Sequence, residues 1–351
     1  MASESQEYDA TAEIAAFFSK TSVLRDTCDA VAMELVGGGS VDPVAIQGVC
    51  SYTVYAGQGF DYVVQFRLKS LELKMETATL ARRIFGHLVP DISFKRQLGE
   101  DSATEDQQPL LVYVMTRMRG ISRLDFILTY GFPENSPHNM TCRKNVVRDV
   151  ARFFALAWKA PQELDQASRN SIGETFAREL QMQLGSLPAR FHTIVRATLA
   201  SLPSILTLPM ALLHKDFGDC NIIVDESSCH LVGVIDWAEA EIAPFGTNLY
   251  SIQDLMSKLH LTNGWIRYED YDDLARLFWR TFVREVGGLD AETIRAIKAA
   301  RVLGLLRSRG FRGRLASKQE PVPIKDDEHG RYNMMILDGL LLDPGWKDIG
   351  I

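Results

Sequence analysis

Apolar residues recur at three-to-four spacing over residues 10–35, with Ile14, Phe17 and Phe18 on one side, and the run stops at Gly37-Gly38-Gly39. This predicts one amphipathic helix closed by glycine. The period then shortens. Residues 44–55 read as strand, tight turn and strand around Gly48, and residues 62–67 and 110–120 as further strands. Between them, residues 71–87 return to helical spacing, with Leu73, Leu80 and Ile84 on one stripe. Glu76 falls three residues after Leu73 and four before Leu80, so it is expected on the buried face, where a carboxylate needs a partner. Residues 99–108 are polar and predicted as loop. From residue 124 the chain turns helical, led by Val146, Val147, Val150, Phe153, Phe154 and Trp158. The tail from residue 321 reads as a loop followed by a terminal helix containing Met334-Met335-Ile336-Leu337.

Within the helical half, two short apolar runs, 222–224 and 231–235, flank the turn formers Asp225-Glu226-Ser227-Ser228. Antiparallel pairing of such a hairpin brings its two ends together. Those ends carry the chemistry. His214-Lys215-Asp216-Phe217-Gly218-Asp219-Cys220-Asn221 leads in with the spacing H-x-D-x-x-x-x-N, and Ile235-Asp236-Trp237 leads out. In kinases that spacing sets a carboxylate beside the acceptor hydroxyl and an amide oxygen beside a metal ion. Asp216 is the candidate to accept or orient the acceptor's proton, and Asn221 and Asp236 are the candidate ligands of Mg2+, which takes few protein oxygens. His214 is expected to hold the loop through a hydrogen bond to nearby backbone.

These residues resemble the aminoglycoside phosphotransferase and choline kinase-like small-molecule kinases, over a span from about Val44 to Trp279. The run Gly233-Val234-Ile235-Asp236-Trp237-Ala238-Glu239-Ala240 looks most like the fungal branch of that family. The resemblance implies an α+β, bilobed protein kinase-like fold, with a small β-rich N-lobe and a larger, mainly helical C-lobe. It implies an N-terminal helical extension (1–40), a nucleotide-binding lobe (41–118) and a catalytic and substrate-binding lobe (119–351). By resemblance Asp216 is the catalytic aspartate, with His214 in the same motif, and Asn221 and Asp236 hold magnesium. ATP and Mg2+ are the implied cofactors, and a small-molecule hydroxyl the acceptor.

Two departures stand out. Lys215 occupies the position where the family usually has Gly. Gln65 aligns with the lysine that ordinarily grips nucleotide phosphates, while Arg67, two residues on and so on the same strand face, is a candidate substitute cation with Glu76 as its partner. Gly48 and Ser51 are the candidate phosphate-facing groups of the covering loop, and backbone near Thr116 and Met118 the candidate adenine contacts. Trp237, Glu239 and Asp254 are candidates for the acceptor pocket. Gln65 and the reduced glycine loop keep open a nucleotide-binding pseudokinase or interaction module. A protein kinase ranks lower, since activation-segment and A-P-E landmarks are missing.

Composition adds limits. At 351 residues, 46% hydrophobic, the chain is long enough to bury a core without covalent staples, and a formal charge of -7 disfavours a general nucleic-acid or membrane-surface binder. Five cysteines without C-x-x-C spacing suit a reduced, cytoplasmic protein. The N-terminal residues lack the basic-then-apolar order of a signal peptide, and no apolar run is long enough to span a bilayer. The expected partners are a nucleotide and a small acceptor, with no nucleic acid or membrane, and the oligomeric state is not legible.

Overall fold

The computed structural model describes residues 8–101, 107–312 and 321–342. The chain divides into two compact units, one of Met1–Arg82 with Val89–Met118, the other of Arg83–Leu88 with Arg119–Ile351.

In the first unit, residues 10–35 form two helices, α1 (Ala10–Phe18) and α2 (Arg25–Leu35), where the apolar spacing predicts one. Hydroxyl side chains account for the break. Ser19 Oγ donates to Ala16 O at 2.8 Å and Thr21 Oγ1 accepts from Val23 N at 3.2 Å, so local side-chain bonds compete with helix continuation. The predicted glycine stop is present. Gly37 is left-handed at φ 79°, and Gly38 N donates to Met33 O at 2.8 Å, closing α2 with a Schellman motif.

Five strands follow, interrupted by one helix: β1 (Ser40–Pro43), β2 (Ser51–Gly57), β3 (Tyr62–Leu68), α3 (Met75–Phe85), β4 (Ile92–Leu98) and β5 (Leu110–Thr116). They form one antiparallel sheet in the order β1-β2-β3-β5-β4. Residues 44–50, predicted as strand and turn, are a loop instead. The buried Gln47 amide takes the strand's bonds, accepting from Thr53 N at 2.9 Å and donating to Val44 O at 3.0 Å and Thr53 O at 2.9 Å, while Ile46 and Val49 face solvent. Alternation sorts the sheet's faces. Tyr52, Val54, Val64, Phe66, Val112 and Val114 pack with Phe17, Cys28, Val31 and Ala32 from the two helices. Ser51, Thr53, Gln65 and Arg67 point the other way, in register Thr53↔Gln65 and Ser51↔Arg67.

The second unit opens with β6 (Ile121–Ser122) and α4 (Arg123–Tyr130) and then its longest helix, α5 (Pro137–Lys159). Ser136 Oγ accepts from Asn139 N at 3.2 Å and Pro137 fills the first turn, so both start signals agree. Next come α6 (Gln166–Ser186), α7 (Ala189–Ala200), α8 (Leu202–Leu206), β7 (Met210–Leu213), the hairpin β8 (Ile222–Val224) and β9 (Leu231–Val234), and β10 (Glu241–Pro244). A 3-10 segment, Leu249–Leu255, precedes β11 (Ser257–His260), β12 (Gly264–Arg267), α9 (Tyr271–Val286) and α10 (Ala291–Arg309). Two short strands, β13 (Phe311–Arg312) and β14 (Val322–Pro323), and α11 (Arg331–Leu337) complete the described chain.

α5 packs along α9, and its Phe153 and Phe154 are the hub of an aromatic cluster. Phe153 stacks on Phe85 at 4.3 Å and on Phe217 at 5.5 Å, and Phe154 meets Phe217 at 5.2 Å and Phe278 at 6.2 Å. Each such pair adds about 0.5–1.5 kcal/mol beyond area burial, so the segment around Phe217 is anchored firmly from below. Among the described residues, no helix is long and apolar enough to cross a membrane. The class is α+β, with an antiparallel sheet in the first unit and mainly helices in the second.

Candidate active site

The hairpin of β8 and β9 forms as predicted, paired Ile222↔Val234 and Ile223↔Gly233. Its turn is fastened by Asp225, whose carboxylate accepts from Ser227 N at 3.1 Å, Ser228 N at 2.9 Å and both serine hydroxyls. Those donors, Ser227's hydroxyl first, hold its pKa down at about 2. At the open end, Ile235 N donates to Asn221 O at 2.9 Å, and the Asn221 amide donates to Asp216 O at 2.9 Å and to Asp216 Oδ2 at 3.0 Å. With Nδ2 committed to Asp216, Asn221 Oδ1 is the amide's remaining acceptor.

His214 closes this arrangement from beneath. It is buried, and its Nε2 donates to Ile235 O at 2.8 Å. Burial pushes its pKa down against the opposing pull of that carbonyl, so the ring is neutral with the proton on Nε2. The Ile235 backbone is therefore held from both sides, and the next residue, Asp236, lies in the left-handed region at φ 60° and ψ 69°. A non-glycine residue there costs of order 1 kcal/mol and persists only where the surroundings over-determine it. The Asp216 and Asp236 side chains belong to exposed residues, and Phe217 between His214 and Asn221 is buried in the aromatic cluster.

The other candidates are placed less uniformly. Trp237, expected at the acceptor, is a core residue: it is 4% exposed, its Nε1 donates to Val234 O at 3.0 Å, and its ring meets His214 at 4.8 Å and Phe85 at 4.9 Å. Its one polar atom is used within the hairpin, which leaves it supporting the loop. Glu239 is half-buried in the following 3-10 turn. Lys215 is directed to Glu241, with Nζ 3.7 Å from Oε2, and Glu241 is gripped in turn by Arg307, which also binds Glu179 at 2.8 Å.

In the first unit, Arg67 is buried, its Nε donating to Leu71 O at 2.7 Å and its Nη1 to Gln65 Oε1 at 3.2 Å. Gln65 Nε2 passes the chain on to Thr53 Oγ1 at 3.3 Å, which lies 3.3 Å from Ser51 Oγ. The expected pairing of Arg67 with Glu76 is not present, because Glu76 is exposed. Leu73 precedes α3, so a stripe counted from it has the wrong phase, and the buried positions are Ala78, Ala81 and Phe85. Gly48 lies in the exposed 44–50 loop, its carbonyl accepting from Ser51 N at 3.3 Å. Thr116 N is already engaged with Asp91 O at 3.0 Å and Arg117 N with Asp61 O at 2.8 Å, whereas the Met118 N–H has no hydrogen bond among the described residues.

Residues 51–276 match the model of the phosphotransferase enzyme family named APH. The chain belongs to that family. It is a small-molecule phosphotransferase, with the catalytic-loop spacing at Asp216 and Asn221 on which the resemblance rests. Two solved structures share the fold. A Ralstonia eutropha protein provisionally described as an aminoglycoside phosphotransferase matches at 11% identity and TM-score 0.51, over 97% of this chain and 98% of its own. The GDP complex of aminoglycoside 2'-phosphotransferase-IIIa matches at 14% identity and TM-score 0.50, over 81% of this chain and 89% of its own. At those identities the likeness concerns the kinase-like fold. No curated protein matches the chain.

Sequence reading missed the groups that surround this loop. Arg123, buried at the start of α4, pairs with Asp219, and Leu124 N donates to Asp219 O at 3.0 Å. No local pattern links residues 96 positions apart. Tyr250 Oη reaches Lys215 O at 3.4 Å, beside Asp216. Asp254, already a candidate for the acceptor pocket on sequence and one 3-10 turn further on, has its pKa raised to about 6, first by burial and then by Asp219, against the pull of Arg309 and Arg123. An acid whose folded pKa exceeds its unfolded value favours the fold only while protonated, and that contribution is lost as pH rises through about 6. Asp254→Asn should therefore raise the thermal midpoint at pH 7, by an amount corresponding to about 1–3 kcal/mol, and change little near pH 3.5. Thermal denaturation across pH checks this, and a loss of stability at pH 7 would mean the ionised carboxylate is favourably paired.

Proposed function

We propose that this phosphotransferase moves the γ-phosphoryl group of ATP, in the presence of Mg2+, to a hydroxyl of a small molecule. The observation that supports the reading is the hydrogen bond from Asn221 Nδ2 to the Asp216 carboxylate, together with the double hold on Ile235, the residue before Asp236, at the open end of the hairpin. A phosphoryl-transfer transition state is loose and highly charged, so positioning and charge neutralisation are what a protein must supply. Asp216, exposed and steadied on one side by Asn221, would orient the acceptor hydroxyl and take its proton as the bond to phosphorus forms.

Asn221 Oδ1 and the Asp236 carboxylate are the residues that would hold Mg2+. Both are hard oxygen donors, and among the described residues no three His, Cys, Asp or Glu side chains gather into a cage, so an ion here takes its other ligands from water and phosphate. When bound, the ion neutralises charge on the phosphate oxygens. The left-handed backbone of Asp236, held by its neighbours, suits that task, since it sets where the carboxylate leaves the chain. In the first unit, Arg67 is the cation for nucleotide phosphates in place of the usual lysine. Its planar fork is oriented by Leu71 O and Gln65 Oε1 rather than by a helix glutamate.

Asp216→Ala should lower phosphate transfer from Mg-ATP to a metabolite extract by at least about 10^3-fold, while nucleotide affinity changes less than about threefold. Detection of phosphorylated products by mass spectrometry checks the first part and calorimetry the second. Equal inertness of both proteins with nucleotide bound favours a pseudokinase, which Gln65 at the lysine position would then explain. Arg67→Ala should weaken nucleotide binding about tenfold or more, whereas Arg82→Ala should have little effect; equal effects of the two would remove Arg67 from the phosphate site.

A further inference from the structure

The turn that carries Asp216 and Asn221 is held from a second side, by the segment with which the chain enters the second unit. A helix leaves its first N–H groups without partners of its own. In α4 the Ser122 hydroxyl accepts from Asp125 N at 3.0 Å, and Leu124 N donates to Asp219 O at 3.0 Å, so a carbonyl of the catalytic loop completes the helix start. Arg123, between Ser122 and Leu124, reaches the Asp219 carboxylate with Nη1. Two successive residues of α4 therefore hold Asp219 at its side chain and at its carbonyl. The rest of the segment is tied to the hairpin. β6 pairs with β8, Ile121↔Val224 and Ser122↔Ile223, and a Cβ at Gly120 would stand 2.5 Å from Val224 O, so the approach requires glycine.

Asp219 is the middle of the turn. Just before it, Gly218 O accepts from Asn221 N at 2.9 Å and Ile222 N at 3.1 Å, and the Asn221 amide in turn holds Asp216. These bonds give the turn its shape. Phe217 anchors it from below in the aromatic cluster, and α4 fixes its middle from the side. The Arg123 side chain is 3% exposed, against 26% for Asp219. Burial opposes the charge on Arg123, and Asp219, foremost among its neighbours, more than offsets this, so the guanidinium stays ionised. A buried ion pair of this kind gives little net stability over well-packed neutral groups of the same size. Its use is geometric, because a planar guanidinium restricts where a carboxylate can stand.

We propose that Arg123 is a positioning residue for phosphoryl transfer: by holding Asp219 it fixes the turn between Asp216 and Asn221, and so keeps the carboxylate that meets the acceptor hydroxyl in register with the cation site. This role deepens the phosphotransfer reading and rests on it for Asp216. Asn221 O and His214 are bonded separately to Ile235, the residue before Asp236, so loss of Arg123 leaves the cation and the nucleotide their ligands. What drifts is Asp216. A misplacement of about 1 Å at a reacting group costs up to about 10^2-fold in rate, so the hold belongs to kcat rather than to KM.

The test uses the full-length protein, Mg-ATP and the metabolite extract, with kcat and KM taken against Mg-ATP and thermal midpoints measured beside them. Removing Arg123 alone leaves the Asp219 charge without its counterion and can unfold the chain, so the deciding variant is the double change Arg123→Met with Asp219→Asn, which removes both charges together. It should keep a thermal midpoint within about 4 °C of the unmodified chain and a KM for Mg-ATP within about threefold, but lose at least about tenfold in kcat. Asp219→Asn alone keeps an oxygen for Arg123 to hold while leaving a buried charge unmatched. It should therefore lose more stability than the double variant and yet keep at least about threefold more kcat. An unchanged kcat in the double variant, a kcat that follows the midpoint across both variants, or a loss confined to KM overturns the proposal. An unmodified chain that transfers no phosphate overturns the phosphotransfer reading, and the hold is then read from amide hydrogen exchange alone: faster exchange at Asn221 and Ile222 in the double variant supports it, and equal exchange overturns it.

Discussion

The backbone of Ile235 is the point on which the site depends. Its carbonyl accepts from the buried His214 Nε2 and its N–H donates to Asn221 O, so one residue joins the loop before the hairpin to the strand that leaves it. Each bond alone is worth about 1 kcal/mol net. Their value here is geometric. Two bonds on opposite sides of one residue leave little freedom to the next, and Asp236 is accordingly fixed in a left-handed conformation that an unconstrained aspartate would seldom choose. The neutral state of His214 belongs to the same constraint, since burial outweighs the pull that the Ile235 carbonyl and the Asp236 and Asp216 carboxylates exert toward a protonated ring.

Packing below the loop makes the constraint rigid. Trp237 and Phe217 flank His214 and sit against Phe85, Phe153 and Phe154, so the polar residues stand on an aromatic floor that long helix α5 carries. The arrangement separates two roles. Buried members of the motif, His214, Phe217 and Trp237, hold geometry, while the polar members, Asp216, Asn221 and Asp236, are left at the surface of that floor. Lys215 is half-buried and is drawn toward Glu241, which Arg307 ties in turn to Glu179 on α6.

How far the sequence foretold this varied with the range of the interactions. The hairpin was legible because its signals are local: two short apolar runs, a turn rich in Asp and Ser, and pairing that follows from their lengths. The polar face of β3 was legible for the same reason, since alternation alone puts Gln65 and Arg67 together. Failures came where a side chain substitutes for backbone or where phase is inherited from outside an element. Gln47 completes the bonding of β2 without a strand of its own, Ser19 and Thr21 divide one helical pattern into two, and Leu73 lies before the helix whose face it was used to define. Trp237 was misplaced because an aromatic beside an acid reads equally as floor or as platform. The pairs Arg123–Asp219 and Tyr250–Lys215 were out of reach, being set by the tertiary fold.

The central claim is that the clamp on Ile235 presents Asn221 and Asp236 as a divalent-cation site. Electron paramagnetic resonance of Mn2+ with a non-hydrolysable ATP analogue measures this most directly, comparing the unmodified chain with Asp236→Asn, Asn221→Ala and His214→Phe. The account predicts tight nucleotide-dependent Mn2+ binding in the unmodified chain, its loss in Asp236→Asn, and a fall of about tenfold or more in Asn221→Ala and His214→Phe, the last through loosened geometry alone. Equal Mn2+ affinity in all four proteins would contradict it.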